Sequence, residues 1–207
     1  MQAWAEPGVP RVVETTFSSP DLVIATFDVR ESGARPGMDV DQTSFFQSAI
    51  DACNAAGGGV VFAPAGKYRI DGKLEIRSGV VLRGEWRNPE GDHAGSFGTL
   101  LCATYGKGLG PLDDPFIGLH NSAGIKDLSI WYPEQDFQSP EPYAFTIAQV
   151  GKKKATVENV TLFNPFRGIR LGPGANEFFT AVNVFMTPLQ IGFRRDQVYD
   201  CARMHRI

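Results

Sequence analysis

The sequence predicts an all-β fold, a parallel β-helix whose short strands wind into stacked coils, with one α-helix capping its N-terminal end. Three observations lead to this fold class. One helical pattern lies near the N-terminus, short β-type runs follow it without a further helix, and similar runs recur in the second half of the chain. The 43% hydrophobic content is enough for a core, and the 21% charged content argues against disorder.

The capping helix is predicted at about residues 43–56. Asp39, Asp41 and Thr43 stand at its start, where carboxylates and hydroxyls accept hydrogen bonds from free N–H groups and favour the positive end of the dipole. A run of glycines ends it and permits positive φ. The apolar residues inside it fall on one helical stripe, which we expect to be buried: Phe45, Phe46, Ala49, Ile50 and Cys53.

The β pattern begins at about residue 59 and turns into a repeat further on. Four short strands are expected at residues 60–63, 68–70, 74–76 and 80–82. In the second half, an apolar template recurs with spacings of 32, 22 and 25 residues, and a second strand recurs after 22 residues. The aligned sets are Ile125, Leu128 and Ile130; Val157, Val160 and Leu162; Phe179, Val182 and Val184; Met204 and Ile207; and, for the second strand, Ile169 and Leu171 with Ile191 and Phe193.

These periods favour a β-helix over other repeat folds. Propeller blades need roughly forty residues and four antiparallel strands each, and the Leu and Asn positions of leucine-rich repeats are missing. About six coils are expected after the helix, each adding a rung of about 4.8 Å. Inward aliphatic side chains would then stack on one another in a continuous core.

Residues 27–84 resemble the N-terminal signature of the pectin-lyase-like superfamily of right-handed parallel β-helices, in particular its rhamnogalacturonase/pectate-lyase-type, polygalacturonase-related domain. The chain departs from the family pattern in reading Pro-Gly-Met-Asp-Val-Asp-Gln-Thr at residues 36–43, where a DG…DDT run is usual. The matching residues are Gly33-Ala34, Asp39, Asp41, Thr43, Gln47, residues 49–52, Gly57-Gly58-Gly59, Pro64, Gly66 and Tyr68.

The resemblance implies an N-terminal extension at residues 1–26 and a single β-helix domain at residues 27–207, cut off at its C-terminal end in mid-repeat. It also implies an extracellular or periplasmic location, although no signal peptide is visible at the N-terminus. The resemblance is specific for fold and not for activity, because hydrolases, lyases, epimerases and phage tailspikes share it.

Composition excludes several function classes. A net charge of −3 gives no general attraction to nucleic acid or anionic membrane, and no apolar run reaches the length of a membrane span. Cys53, Cys102 and Cys201 show neither metal-binding spacing nor a disulfide framework. No metal ligands are expected and no cofactor, with calcium as the exception if the protein is a lyase. The oligomeric state is left open.

The candidate catalytic residues are Asp196 and Asp200. Hydrolysis of a glycosidic bond needs two carboxylates about 5–9.5 Å apart, whereas four residues of straight strand span about 13 Å. A turn between the two would shorten this distance, and ordinary turn carboxylates are the alternative. Asp113 and Asp114 precede a proline and are predicted to form a loop.

The candidate substrate-binding residues are Arg167, Arg170, Arg203, His205 and Trp131. Arginines pair with uronate carboxylates by forked hydrogen bonds, but the spacing of Arg167 and Arg170 predicts that at most one of them points into a groove. His205 near Arg203 suits an acidic sugar, and simple exposure is the alternative. Trp131, like Trp86 and Tyr132, is expected at a strand end and suits stacking on a sugar ring, with packing under a loop as the alternative.

The sequence therefore predicts, through the resemblance, a protein that binds and cleaves an acidic, pectin-like polysaccharide by hydrolysis or β-elimination. Two alternatives stay open. One is a non-catalytic glycan-binding or structural β-helix such as a tailspike module. The other is an inert N-terminal fragment of a longer enzyme.

Overall fold

The computed structural model of the protein describes residues 8–19, 21–90, 97–174, 176–198 and 202–207. Its elements are the strands β1 (Arg11–Val12), β2 (Ile24–Ala25) and β3 (Phe27–Asp28), a 3₁₀ turn (Val29–Ser32), the helix α1 (Thr43–Ala55), and the strands β4 (Gly59–Phe62), β5 (Gly66–Ile70), β6 (Leu74–Ile76), β7 (Val80–Arg83), β8 (Thr99–Ala103), β9 (Ile117–Leu119), β10 (Gly124–Trp131), β11 (Phe145–Gln149), β12 (Thr156–Phe163), β13 (Arg167–Leu171), β14 (Thr180–Met186), β15 (Ile191–Arg195) and β16 (Arg203–His205).

Helix α1 forms where it was predicted and ends one residue earlier than expected. Asp41 Oδ1 accepts from the backbone N–H of Thr43, and Gly57 and Gly58 follow the helix with φ near +99°. Four members of the predicted apolar stripe are buried and Phe45 is half-buried against the same core. The helix contacts β3, β4, β6 and β7, the strands of the first coils. Its role as a cap stays a prediction.

The strands after α1 form two parallel sheets that lie along the same axis. The nine-stranded sheet has the order β16-β14-β12-β10-β7-β4-β3, with β8 pairing β10 and β5 pairing β8. The five-stranded sheet has the order β15-β13-β11-β9-β6. Successive strands of each sheet come from successive turns of the chain, so six coils of the described residues stack after the helix, the last of them represented by β16. The predicted fold class is confirmed.

The long strands β10, β12 and β14 each bend once, at Asp127, Asn159 and Asn183, where φ lies between +51° and +57°. Aspartate and asparagine tolerate this left-handed conformation better than most residues. The first half of β10 pairs with β7 and its second half with β8, so the bend divides the nine-stranded sheet into two faces.

Side chains at the bend form a hydrogen-bonded ladder along the axis. Asn183 donates to Asn159 over 2.9 Å and Asn159 donates to Asp127 over 2.7 Å. Arg83 donates to the other carboxylate oxygen of Asp127 over 2.8 Å. Each coil is thereby tied to the next one.

The repeat register is partly as predicted and partly shifted by two residues. Val157 lies beside Ile125, as the 32-residue spacing predicted. The predicted spacings of 22 and 25 residues for the following coils, and of 22 residues for the second strand, were wrong. Val157 lies beside Ala181 and not Phe179, Met204 lies beside Ala181, and Ile169 lies beside Phe193 and not Ile191. A shift of two keeps Phe179 and Val184 on the inward face, so the apolar pattern does not detect it at these positions. Val182 was misplaced, because the bend puts it beside Glu158, where it is only partly buried.

The core lies between the two sheets and consists of stacked aliphatic side chains. One such stack runs through Leu82, Ile125, Val157 and Ala181, all fully buried. Burying each Leu, Ile or Val side chain contributes about 1.5–3 kcal/mol. The buried core therefore continues from each coil to the next along the axis.

The N-terminal hairpin of β1 and β2 packs Val23 and Ala25 on Phe62, outside the main core. The boundary at residue 27 and the cut at the C-terminal end stay predictions. No helix of the described segments is long and apolar enough to cross a membrane.

Candidate functional site

The outer face of the five-stranded sheet carries a row of charged side chains at its two ends. Because side chains alternate along a strand, the buried Ile117, Ile147 and Ile169 point inward and their neighbours point outward. The strand register places the outward positions side by side in the order Glu75, Gly118, Ala148, Arg170 and Arg194. Small side chains therefore separate a carboxylate end from a guanidinium end.

Arg170 is a buried cation. Its side chain is only 8% exposed, its Nη1 donates to the carbonyl oxygen of Pro111 over 2.6 Å, and its Nε is buried without a partner among the described residues. The Phe145 ring lies 5.8 Å from the guanidinium carbon. Burial and the neighbouring charge of Arg194 lower the pKa of Arg170.

Arg167 is also only 8% exposed, and it reaches a carbonyl oxygen two residues before Pro111. Its Nη1 donates to the carbonyl oxygens of Tyr143 (2.6 Å) and Leu109 (3.2 Å), and its Nε donates to Gln190 Oε1 over 2.8 Å. Burial, followed by the charge of Arg194, lowers its pKa. The alternation of the strand still places Arg167 and Arg170 on opposite faces, although both side chains reach carbonyl oxygens of residues 109–111. That at most one of them points into a groove stays a prediction.

Neither guanidinium forms an ion pair with a carboxylate of the described residues. The effective penalty for burying an ion in a protein is several kcal/mol, and neutral carbonyls offset less of it than a carboxylate would. Charges held in this way mark a place where an anionic ligand supplies the missing partner. Arg167 and Arg170 are therefore the strongest anion-binding candidates on this face.

The segment over Arg170 is Gly110–Pro115, in the connection between β8 and β9, and Arg167 reaches Leu109 just before it. Gly110 N–H donates to Asp113 Oδ2 over 2.7 Å, and Lys73 Nζ donates to Asp114 Oδ2 over 2.6 Å. Asp113 and Asp114 form a loop, as predicted.

A second charged group lies at the β6 end of the row and was missed from the sequence. His120 Nε2 lies 2.8 Å from Glu75 Oε2, and Lys73 Nζ lies 3.3 Å from Glu75 Oε1. The alternation of charged and apolar residues along residues 73–77 is a signal for an outward charged face, but it does not reveal that His120 joins it from another coil.

Asp196 lies at the end of β15 on the guanidinium side and accepts from Arg194 Nε. Its predicted partner Asp200 lies outside the described residues. The spacing of the proposed carboxylate pair therefore stays a prediction.

The other predicted binding residues lie on the nine-stranded sheet. Arg203 and His205 are exposed on β16, and Trp131 ends β10 beside Phe163. The fold therefore does not bring them together with Arg167 and Arg170. Tyr132 is buried and donates to Thr146, so for this residue the packing alternative holds.

A groove follows the bend of the nine-stranded sheet. One cavity of about 360 Å³ lies between the N-terminal segment and the ladder residues Asp127, Asn159 and Asn183, and Trp86 also lines it. A neighbouring cavity of about 810 Å³ shares Trp86 and extends to Phe185. Trp86 is held in place, because its Nε1 donates to Thr161 over 2.9 Å.

Within the described ranges, no three His, Cys, Asp or Glu side chains lie close enough together to hold a metal ion. On the outer face of the five-stranded sheet, cationic arginines occupy the position next to the covering loop. Because calcium needs oxygen ligands, these cationic side chains do not fit a calcium ion.

Comparisons with known proteins agree with this architecture. A model of the family described as rhamnogalacturonase A/epimerase, pectate lyase-like, matches residues 26–107. The A-module of mannuronan C-5 epimerase AlgE4 from Azotobacter vinelandii superimposes with a TM-score of 0.60 at 18% identity, over 86% of this chain and 50% of that one. The chain therefore has a parallel β-helix fold, and its residues 26–107 are similar to this family.

Two curated relatives of this chain come from the same bacterium. Mannuronan C5-epimerase AlgE3 is 45% identical over 65 residues, 28% of this chain and 4% of the relative. Alginate lyase 7 is 31% identical over 151 residues, 66% of this chain and 16% of the relative. The chain thus spans only a small part of the length of these relatives.

Proposed function

We propose that this β-helix protein binds an acidic, uronate-containing polysaccharide on the outer face of its five-stranded sheet and takes part in modifying it. The observation that carries the proposal is the pair Arg167 and Arg170, two buried guanidiniums with no carboxylate partner among the described residues. A uronate offers at every sugar the planar carboxylate that a guanidinium binds through two parallel hydrogen bonds.

The names of the relatives support a polyuronate as the substrate class. An epimerase acting at C5 and a lyase acting on alginate both handle sugars whose carboxylate is attached to C5. A pectin-like chain has the same group, so galacturonate polymers belong to the same class.

The arginines would serve the chemistry as well as binding. Epimerisation at C5 and β-elimination both begin when the proton next to the carboxylate leaves. The negative charge that develops spreads onto the carboxylate, and a guanidinium in a site shielded from water stabilises it. Hydrolysis instead needs two carboxylates on either side of one bond. On the described part of this face, Glu75 and Asp196 lie at opposite ends of the row, and Asp196 is already bound to Arg194.

Binding is tested first. Polymannuronate, polyguluronate and polygalacturonate are titrated against the protein, with carboxyl-reduced forms of the same polymers as neutral controls. Arg170→Met and Arg167→Met should each weaken polyuronate binding about tenfold or more, because a hydrogen bond to a charged group contributes about 1.5–3 kcal/mol. Arg203→Met, on the other sheet, is the matched control. Equal affinity for the carboxyl-reduced polymer would refute the proposal.

Catalysis is tested with three readouts on the same panel. Ultraviolet absorbance of an unsaturated product reports elimination, reducing ends without that absorbance report hydrolysis, and deuterium uptake at C5 from heavy water reports epimerisation. The same assays are repeated with a chelator and with added calcium, because calcium dependence is expected only of a lyase. Arg170-dependent binding with none of the three signals would identify a binding module.

A further inference from the structure

We infer that Gly110–Pro115 is a lid over the guanidinium of Arg170, and that the carboxylate of an incoming uronate opens it by taking the place of the Pro111 carbonyl at that guanidinium. The inference rests on the proposed function, since it assigns a way of regulating access to the same site. The buried Nε of Arg170 requires such a step, because a carboxylate reaches that atom only when part of its cover moves.

The lid is held at two places outside itself. Arg170 donates to the carbonyl oxygen of Pro111, and Lys73 donates to the carboxylate of Asp114. The hydrogen bond from Gly110 to Asp113 lies within the segment and moves with it. No backbone–backbone hydrogen bond ties residues 110–115 to any other segment that the structure describes.

The two flanks of the lid are fixed much more firmly. On the N-terminal side, Gly108 N–H donates to the Pro142 carbonyl over 2.7 Å and Ala144 N–H donates to the Gly106 carbonyl over 3.0 Å. On the C-terminal side, Phe116 is buried and its N–H donates to the Phe145 carbonyl over 3.0 Å. Pro115 is itself buried, so residues 110–114 form the stretch between two anchored ends that can swing as a unit.

Hydrogen-bond strengths favour opening by the ligand. A carboxylate binds a guanidinium through two parallel hydrogen bonds between opposite charges, whereas Pro111 offers Arg170 one neutral oxygen, so a uronate replaces Pro111 at Arg170 with a net gain. The Lys73–Asp114 pair is largely exposed and holds the lid only weakly. Binding of the anion and opening of the lid are thus coupled.

The test compares Lys73→Met with Lys107→Met. Both substitutions remove one positive charge, but only Lys73 ties the lid, whereas Lys107 pairs loosely with Glu134 at 3.6 Å. Lys73→Met should speed hydrogen exchange of Leu112–Asp114 and tighten binding of a tetra-galacturonate or tetra-mannuronate about two- to fivefold relative to Lys107→Met. In wild type, adding the same tetramer should also speed exchange in Leu112–Asp114.

The outcomes separate the lid from the site beneath it. If tetramer binding depends on Arg170 while exchange in Leu112–Asp114 is unchanged or slowed by ligand, the site stands and the lid is refuted. If Lys73→Met and Lys107→Met bind the tetramer equally, the tether is refuted. If neither wild type nor Lys73→Met binds any uronate tetramer or polymer, the proposed function fails and the lid fails with it.

Discussion

Nη1 of Arg170 lies 2.6 Å from the carbonyl oxygen of Pro111, on a loop that the chain reaches 59 residues earlier. This contact joins β13 to the connection between β8 and β9, and it leaves the buried charge of Arg170 facing a neutral acceptor. The guanidinium of Arg83 is equally buried, but its Nε lies 2.8 Å from Asp127 Oδ2, so a carboxylate compensates its charge.

Arg170→Met should therefore leave the free energy of unfolding within about 1 kcal/mol of the wild-type value or raise it. The substitution removes a buried charge that has no ion-pair partner among the described residues and only longer-range attraction from Asp114, Asp196 and Asp113. Arg83→Met should lower it by about 3–5 kcal/mol, since it strands the carboxylate of Asp127. Urea unfolding of wild type and the two variants measures these free energies. A large loss of stability in Arg170→Met would show that its bond to Pro111 serves the fold.

The ladder at the strand bends should respond to backbone conformation as well as to hydrogen bonding. Asn159 has φ +51°, donates to Asp127 and accepts from Asn183. Asn159→Ala should cost about 2–4 kcal/mol, because it loses both bonds and places alanine in the left-handed region. Asn159→Gly loses the same bonds but tolerates the conformation, so thermal unfolding should show a loss smaller by about 1 kcal/mol. Equal losses would contradict the role of the bend.

The pH dependence of stability should contain a contribution from Asp127. Burial raises the pKa of this carboxyl above its usual value, although Asn159 and Arg83 act in the opposite direction. A carboxyl with a raised folded-state pKa adds stability below its unfolded pKa of about 4 and loses it as the pH rises through the folded value.

Asp127→Asn should consequently flatten the decline in unfolding free energy as the pH rises from about 4 to 7. The control is Asp136→Asn, at a carboxylate in an exposed loop. Urea titrations at several pH values give the two slopes. A slope unchanged from wild type in Asp127→Asn would mean that Arg83 compensates the burial in full.

Two thiols should be unreactive in the folded protein. Burial raises the pKa of the Cys53 thiol to about 11, and burial is also the main reason that the pKa of Cys102 is raised to about 11. Iodoacetamide at about pH 8 should therefore label neither residue until the protein is unfolded, because the thiolate is the nucleophile. Peptide mass spectrometry before and after urea treatment measures this. Rapid labelling of Cys53 in the native protein would show that α1 opens readily.

Much of the architecture could be predicted because it follows from local pattern. The apolar stripe of α1, the glycine stop after it and the short strands are written in neighbouring residues, and the stacking of Val157 on Ile125 followed from similar segments. The later register could not be predicted as well. A shift of two residues leaves Phe179 on the same face as Ala181, so Phe179 was matched where Ala181 belongs.

The site was only partly accessible from sequence for a different reason. Arg167 and Arg170 were named because arginine suits a uronate, but their partners Leu109, Pro111 and Tyr143 use backbone carbonyls, which no residue type reveals. His120 and Glu75 are 45 residues apart and meet only because successive coils stack. Trp131, Arg203 and His205 suit sugar binding equally well by residue type, yet they lie on the other sheet.

By itself the sequence determined that this chain has one helix followed by a coiled stack of short strands, because those features depend on contacts within a few residues or on a repeat. Only the tertiary structure decided which charges are left without a counter-ion and which segment covers them. Burial and pairing of a charge depend on what the folded chain brings next to it from distant positions, and that information resides in the packing of coils and loops.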